Sequence, residues 1–498
     1  MATNYDRYVE RMRKIADIGH SIAVLNWDKE TYLPKKSANM RSQQIATLSG
    51  IVHEEFTNPK FGNLLKRLNK QRNLDDDKKK NVTVTLNDYH KATKFTKRFV
   101  MQKSMAVSKC FQAWLQAREA NDFRLYQKSL EELVKIKRIE AKKLGSAAEH
   151  LYDNLLDQYE PGLTVAKSDK IFNGMKKPLK KLINKINKKK APKKNFLYKK
   201  YNKDAQWNLG IYILNEIGYD FDHGRQDIST HPFTTSFSSN DVRITTRIDE
   251  KDLSNMLWSC IHEGGHALYE QGLPIKNYGL PTGSAISLSI HESQSRIWEN
   301  NVARGKAFWN KHFRTAKKMF PKQLKNQTVD SFYKAINVIE PNLIRTEADE
   351  LHYHYHVLIR YEIEKALIEG SIEVADLRDV WNAKYKEYLN IDVTDDVNGV
   401  LQDIHWSHGS FGYFPTYTIG SFYAAQFFNV AKVENPNLLN NIKDGNNKNL
   451  LKWLREKIHE NGKRLDAHKL CEKISGEKLN FKYFKEYVIE KYSKIYSL

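Results

Sequence analysis

Apolar residues recur at three- and four-residue spacing through most of this chain. The recurrence is clear over 8–25, 111–144 and 351–368, and it restricts each stretch to an amphipathic helix with one buried face. The 12 prolines fall mostly between such stretches, where helices end. One segment departs from the pattern. THPFTTSFSSNDVRITTRI, at 230–248, is rich in Thr, Ser, Phe, Val and Ile, with Ser238-Ser239-Asn240-Asp241 in its middle. That reads as a pair of short strands joined by a turn. The expected fold is mainly α with one small β-sheet. The length, 498 residues, would by itself suggest about three domains. Neither a repeat at solenoid period nor a long flexible linker divides the chain, so a single unit over 1–498 is expected. Within it, 1–200 is expected as an N-terminal helical lobe and 201–498 as the remainder.

Composition removes several function classes. An apolar fraction of 40% supports a large core and argues against global disorder. No run approaches about 18 apolar residues, so no membrane-spanning helix is expected. The start, Met-Ala-Thr-Asn-Tyr-Asp, has no basic residues followed by an apolar stretch, and a cytoplasmic protein is expected. Cys110, Cys260 and Cys471 are too few and too scattered for a disulfide framework or a cysteine zinc site. The net charge of +22 raises the question of nucleic acid. The densest basic run, 176–200, holds 12 Lys, but no zinc-finger spacing or aromatic RNA-binding signature accompanies it. It reads as a solvated face. No phosphate-binding glycine loop is present.

His262-Glu263-Gly264-Gly265-His266 carries the chemistry. Two histidines four apart on a helix share one face and can grip one zinc-sized cation. Glu263 then falls beside the cation, where it can take a proton from polarised water. The adjacent glycines inside a helix cost about 2 kcal/mol relative to Ala, so something must approach too closely for a side chain. A hydrolytic site needs a third ligand. Glu292, in His291-Glu292-Ser293-Gln294-Ser295, is 26 residues past His266 across a turn-rich connection. Glu270 and Glu299 compete on spacing, but Glu270 is nearly in line with the histidine pair and is a poor third corner. The run His352, His354, His356 tempts a second-metal reading. Only His352 and His356 align on a helix, and core or surface histidines explain the run better.

At this point the sequence resembles the carboxypeptidase Taq family of metallocarboxypeptidases, over nearly its whole length. Asn26-Trp27-Asp28, Leu33-Pro34 and 41–48 look like the family's opening helices. His231-Pro232-Phe233 matches HPF, and Asp241-Val242-Arg243-Ile244-Thr245 matches DxRxT. His262 to His266 matches HExxH, and 291–295 matches HES-x-S, whose Glu is the family's third metal ligand. Residues 344–349 match IRxxAD, and 399–406 match GxxQDxHW. The resemblance implies an elongated, two-lobed helical shell with a deep cleft. It implies one zinc or cobalt ion per chain, bound by His262, His266 and Glu292, and release of single C-terminal residues from peptides. It also implies a homodimer.

The other site residues follow from both sources. A free carboxylate is best held by a guanidinium through paired hydrogen bonds. The resemblance points to Arg345, against the plainer reading of an Arg345–Asp349 helix pair. His405 with Tyr413 or Tyr417 would stabilise the oxyanion, and spacing does not choose between the tyrosines. Arg243, His231 and Asp403 are carried over as substrate contacts. The strands of 230–248 could offer an edge to an extended peptide or merely support the site. Two other readings stay open: a dipeptidyl carboxypeptidase or endopeptidase, and a basic nucleic-acid-binding protein with a vestigial metal site.

Overall fold

The computed structural model describes residues 3–145 and 149–498. It is mostly helical, with one small sheet. Two compact units are present, each assembled from three chain segments. The first comprises Met1–Thr93, Pro192–Ile336 and Tyr423–Asn480; the second Lys94–Ala191, Asn337–Phe422 and Phe481–Leu498. The N-terminal two hundred residues are therefore shared between both units. Among the described residues, no helix is long and apolar enough to cross a membrane.

In the first unit the sheet holds strands β1 (Gly224–Ile228), β2 (Thr234–Ser238) and β3 (Asp241–Thr246). Their order is β1-β3-β2, with β1 parallel and β2 antiparallel to β3. The β2–β3 hairpin turns where the polar cluster was noted. The sequence reading found two strands and missed β1, whose Gly-Arg-Gln-Asp-Ile holds two charged residues, Arg225 and Asp227, paired at 2.7 Å. Central β3 buries Val242 and Ile244 completely. The helix Leu253–Glu270 packs across β3 and β2. It starts where the Asp252 carboxylate accepts from the Ser254 amide at 2.8 Å, which satisfies one of the orphan donors of its first turn. A separate core gathers Tyr8, Phe61, Leu65, Leu68 and Val82 under the helix Asn4–Thr31.

The second unit shows where periodicity overreached. The stretch 111–144 is two helices, Lys97–Ala120 and Arg124–Leu144, broken at Asn121, whose φ of 51° makes a left-handed cap. The helix Tyr353–Glu369 is buried nearly all round, as a helix at the centre of a unit must be. The histidine run starts at its N-cap, His352, and is core: His352 meets Asp349 at 2.6 Å, His354 meets Thr418 at 3.0 Å, and His356 meets Tyr385 at 2.9 Å. The basic run spreads over the helix Val165–Ile186, which contains Pro178, and the segment after it. Leu179, Leu182, Ile183 and Ile186 are buried while most of its lysines face solvent, a solvated face as expected.

Candidate metal centre and carboxylate-binding cluster

The candidate metal centre is built where two helices touch. His262 and His266 lie one turn apart on Leu253–Glu270, and Glu292 lies on the helix Leu288–Arg296. Gly265 makes the approach possible. A Cβ there would stand 2.6 Å from Ser295 Cα and 2.9 Å from the Gln294 carbonyl oxygen. Gly264 faces the other way, toward Leu214 and Ile217 of the helix Lys203–Ile217. The glycine pair thus serves close packing on two sides, and one of those contacts brings in the third ligand.

The three ligand atoms lie within 4.8 Å of one another. Nε2 of His262 is 3.6 Å, and Nε2 of His266 3.5 Å, from the same Glu292 oxygen, Oε2. Ligand atoms about 2.1 Å from a tetrahedral cation lie about 3.4 Å apart, so the donor set fits a zinc-sized ion. The other ring nitrogens are occupied as second partners of metal-binding histidines are. His262 Nδ1 meets Glu299 Oε2 at 2.9 Å, and His266 Nδ1 meets His291 Nδ1 at 2.5 Å. Neither Glu270 nor Glu299 is a member of the ligand set.

Arg296 organises the acids. Its Nε donates to Glu292 Oε1 at 2.6 Å and its Nη1 to Glu299 Oε2 at 3.1 Å. Glu292 therefore keeps Oε2 toward the histidines. Burial alone would raise both carboxyls, but Arg296 and the neighbouring histidines hold Glu292 well below its ordinary value and Glu299 down to about 2. Burial, with His291 and His262 nearby, pushes His266 down to about 3, so its imidazole is neutral at physiological pH. A turn of π-helix, Ile297–Ala303, follows and carries Glu299.

Glu263 accepts from Thr234 Oγ1 at 2.6 Å. Burial pushes its carboxyl above the ordinary value, against the lowering influence of His262 and that hydrogen bond. Thr234 belongs to β2, an edge strand, and escaped the sequence reading. It sits one residue past the HPF motif, which was the available signal. Beside β2 lies a cavity of about 520 Å³, lined by Thr235, Ser236, Met12, His20 and Tyr278 among others. Arg243 is held by Asp241 through two hydrogen bonds of 2.9 and 2.8 Å and stacks between Trp27 and Phe237. Asp241 thus orients the guanidinium through Nε and Nη2. His231 is exposed, and its carbonyl accepts from Ser229 at 2.6 Å.

In the second unit a different cluster forms around Asp403. Arg345 donates to Asp403 Oδ1 from Nε at 3.1 Å and from Nη2 at 2.9 Å. Its side chain is buried, and it stacks on Tyr417 and Phe414. The expected alternative partner, Asp349, binds His352 instead, and Arg345 lies on a 3-10 turn, Arg345–Glu347, where helix spacing does not apply. A second arginine, Arg360, fully buried against Trp406, reaches the other Asp403 oxygen at 3.4 Å. Asp403 is thus the shared counter-ion of two arginines, a role the substrate-contact expectation did not include. His405 Nε2 meets Tyr417 OH at 3.0 Å. Burial pushes His405 down to about 3 despite Asp403 nearby. Tyr413 packs edge-on against Tyr159. Both tyrosines lie against His405, Tyr417 through that hydrogen bond and Tyr413 with ring centroids 5.4 Å apart.

Comparison with known proteins agrees with this geometry. A family model described as carboxypeptidase Taq (M32) metallopeptidase matches residues 7–492. Carboxypeptidase 1 of Bacillus subtilis is 36% identical, with 99% of this chain and 98% of that protein covered. Thermostable carboxypeptidase 1 of Thermus thermophilus is 36% identical over 99% of both. The crystal structure of the M32 carboxypeptidase from Deinococcus radiodurans superposes with a TM-score of 0.96 at 35% identity, covering 99% of this chain and 100% of that one. Family match, full-length coverage and a fitting donor set agree: the chain belongs to the carboxypeptidase Taq (M32) family of metallopeptidases.

Proposed function

We propose that this protein releases single C-terminal amino acids from peptides of varied sequence, using one divalent cation, zinc or alternatively cobalt, held by His262, His266 and Glu292. The observation that carries the reading is the convergence of both Nε2 atoms on one Glu292 oxygen, with Glu263 next in sequence. The cation, when bound, polarises water and the scissile carbonyl. Glu263 accepts a proton from the attacking water as its oxygen bonds to the carbonyl carbon, then passes that proton to the amine nitrogen as the C–N bond breaks. Its raised pKa suits both halves of that exchange. Thr234 holds the carboxylate in place.

Arg345 takes the substrate's terminal carboxylate. Asp403 engages its Nε and one Nη2 hydrogen, which pre-orients the guanidinium and leaves further N–H groups for a ligand. His405 and Tyr417 supply donors for the developing oxyanion, with Tyr417 preferred over Tyr413 because it bonds His405. Edge strand β2 offers main-chain groups that read no side chain, which suits broad specificity. The protein acts as a cytoplasmic homodimer.

The test is metal analysis of purified protein with timed amino-acid release from one peptide, free or amidated at its C-terminus. One equivalent of metal and stepwise single-residue release that stops on amidation support the reading. Release of dipeptides, or cleavage of the amidated peptide, supports the dipeptidyl or endopeptidase alternative instead.

A further inference from the structure

His266 and His262 are secured differently. The Nδ1 of His262 meets a carboxylate directly, whereas that of His266 meets another imidazole, His291, at 2.5 Å. His291 in turn places Nε2 2.8 Å from Glu270 Oε1. Proton positions follow by elimination. The Glu270 carboxylate can only accept, so His291 Nε2 carries the hydrogen. With that hydrogen on Nε2, the His291 Nδ1 lone pair is placed to accept from Nδ1–H of His266. His266 is left with its lone pair on Nε2, the nitrogen 3.5 Å from Glu292 Oε2.

We propose that His291 and Glu270 form an outer relay that locks His266 in the tautomer and ring orientation needed to hold the cation. The proposal rests on the metallopeptidase reading above and extends it to two residues outside the candidate ligand set. The placement is economical. Glu270 follows His266 by one turn on the same helix, and His291 precedes Glu292 on the neighbouring one. The helix contact that delivers the third ligand therefore also delivers the relay's middle member. Tyr269 packs edge-on against the His291 ring, with centroids 5.1 Å apart, and limits its rotation.

The test measures zinc and cobalt(II) binding to the full-length protein by competition with a chromophoric chelator, together with the thermal melt of each metal-free variant. His291→Leu and Glu270→Ala should weaken binding by about 10- to 100-fold while the metal-free melts stay at the wild-type temperature. His291→Gln, whose amide can accept from His266 and donate to Glu270, should stay near wild type. Wild-type affinity in His291→Leu overturns the proposal. So does an equal loss in the Gln and Leu variants, because ring volume would then be what matters. Should His291→Leu fail to fold, Glu270→Ala decides alone: unchanged affinity there overturns the relay. A wild-type protein that binds neither metal overturns the metallopeptidase reading instead, which separates the two failures.

Discussion

Replacing Gly265 by Ala should loosen the metal site while leaving the protein folded. The new Cβ would stand 2.6 Å from Ser295 Cα, 2.9 Å from the Gln294 carbonyl oxygen and 3.1 Å from the Ser295 nitrogen. Carbon atoms settle about 3.5 Å apart or more, so the two helices must separate by roughly 1 Å. The opposing atoms are backbone and cannot rotate away, and they belong to the helix that carries Glu292. Metal–ligand distances tolerate only about 0.2 Å, so the separation is several times what the site absorbs. Metal affinity should fall by at least about tenfold, as loss of ligand support commonly does. Stability changes less, because Ala gains about 1 kcal/mol of helix propensity against about 1–3 kcal/mol of overpacking. Gly264→Ala is the control. Its Cβ meets Leu214 Cδ2 at 2.7 Å and Ile217 Cδ1 at 3.2 Å, the ends of side chains that can turn. Zinc titration against a chromophoric chelator, with a melt of each metal-free variant, reads both effects. Wild-type affinity in Gly265→Ala, or equal losses in the two variants, would refute the reasoning.

Other outcomes follow from the same geometry. Glu263→Gln should bind metal stoichiometrically yet lose at least about 10²- to 10⁴-fold in kcat; near-normal turnover would remove Glu263 as the base. Arg345→Lys replaces a fork by a point charge that cannot hold Asp403 and a substrate carboxylate together, so KM for free-C-terminal peptides should rise roughly 10- to 100-fold, from about 1.5–3 kcal/mol of charge-assisted bonding. Adding zinc to metal-stripped protein at about 100 times Kd should stabilise it by about 2.7 kcal/mol, visible as a higher Tm. The His352–Asp349 pair sets a pH dependence. Burial works against a charged His352, but Asp349 outweighs it and raises the imidazole's pKa; burial likewise works against the Asp349 charge, but His352 and two backbone amides lower that carboxyl. A raised His pKa stabilises at acid pH and is lost as pH rises through the folded value, while a lowered Asp pKa is lost as pH falls through its own. His352→Gln should therefore cost most near pH 5 to 6 and least above pH 8, read by denaturant unfolding at each pH; a pH-independent cost would exclude the charged pair.

Legibility in the sequence tracked the range of the interaction. Helical periodicity and the i, i+4 histidines are local, and both were readable. The errors were also local in origin. Asn121 adopts a left-handed cap that a periodicity count over 111–144 passes across, and β1 hides its strand character behind the Arg225–Asp227 pair. Long-range pairing left no such trace. Nothing in the spacing says that Arg345 takes Asp403, 58 residues on, rather than Asp349 within the same motif. Which acid a buried guanidinium meets is set by the fold, here by how the 399–406 segment returns to the turn Arg345–Glu347.

The glycine pair shows how the two scales join. Read in the sequence, Gly264-Gly265 says only that something approaches too closely for a side chain. The fold shows what approaches and what the approach delivers. Close packing at Gly265 brings the backbone of Ser295 against the histidine helix, and that contact sets Glu292 3.5–3.6 Å from both imidazoles. A side chain of any size at that position would spare the helix its propensity cost and displace the ligand. The intrinsically unfavourable residue fits here because the candidate cation site is built on backbone proximity between two helices.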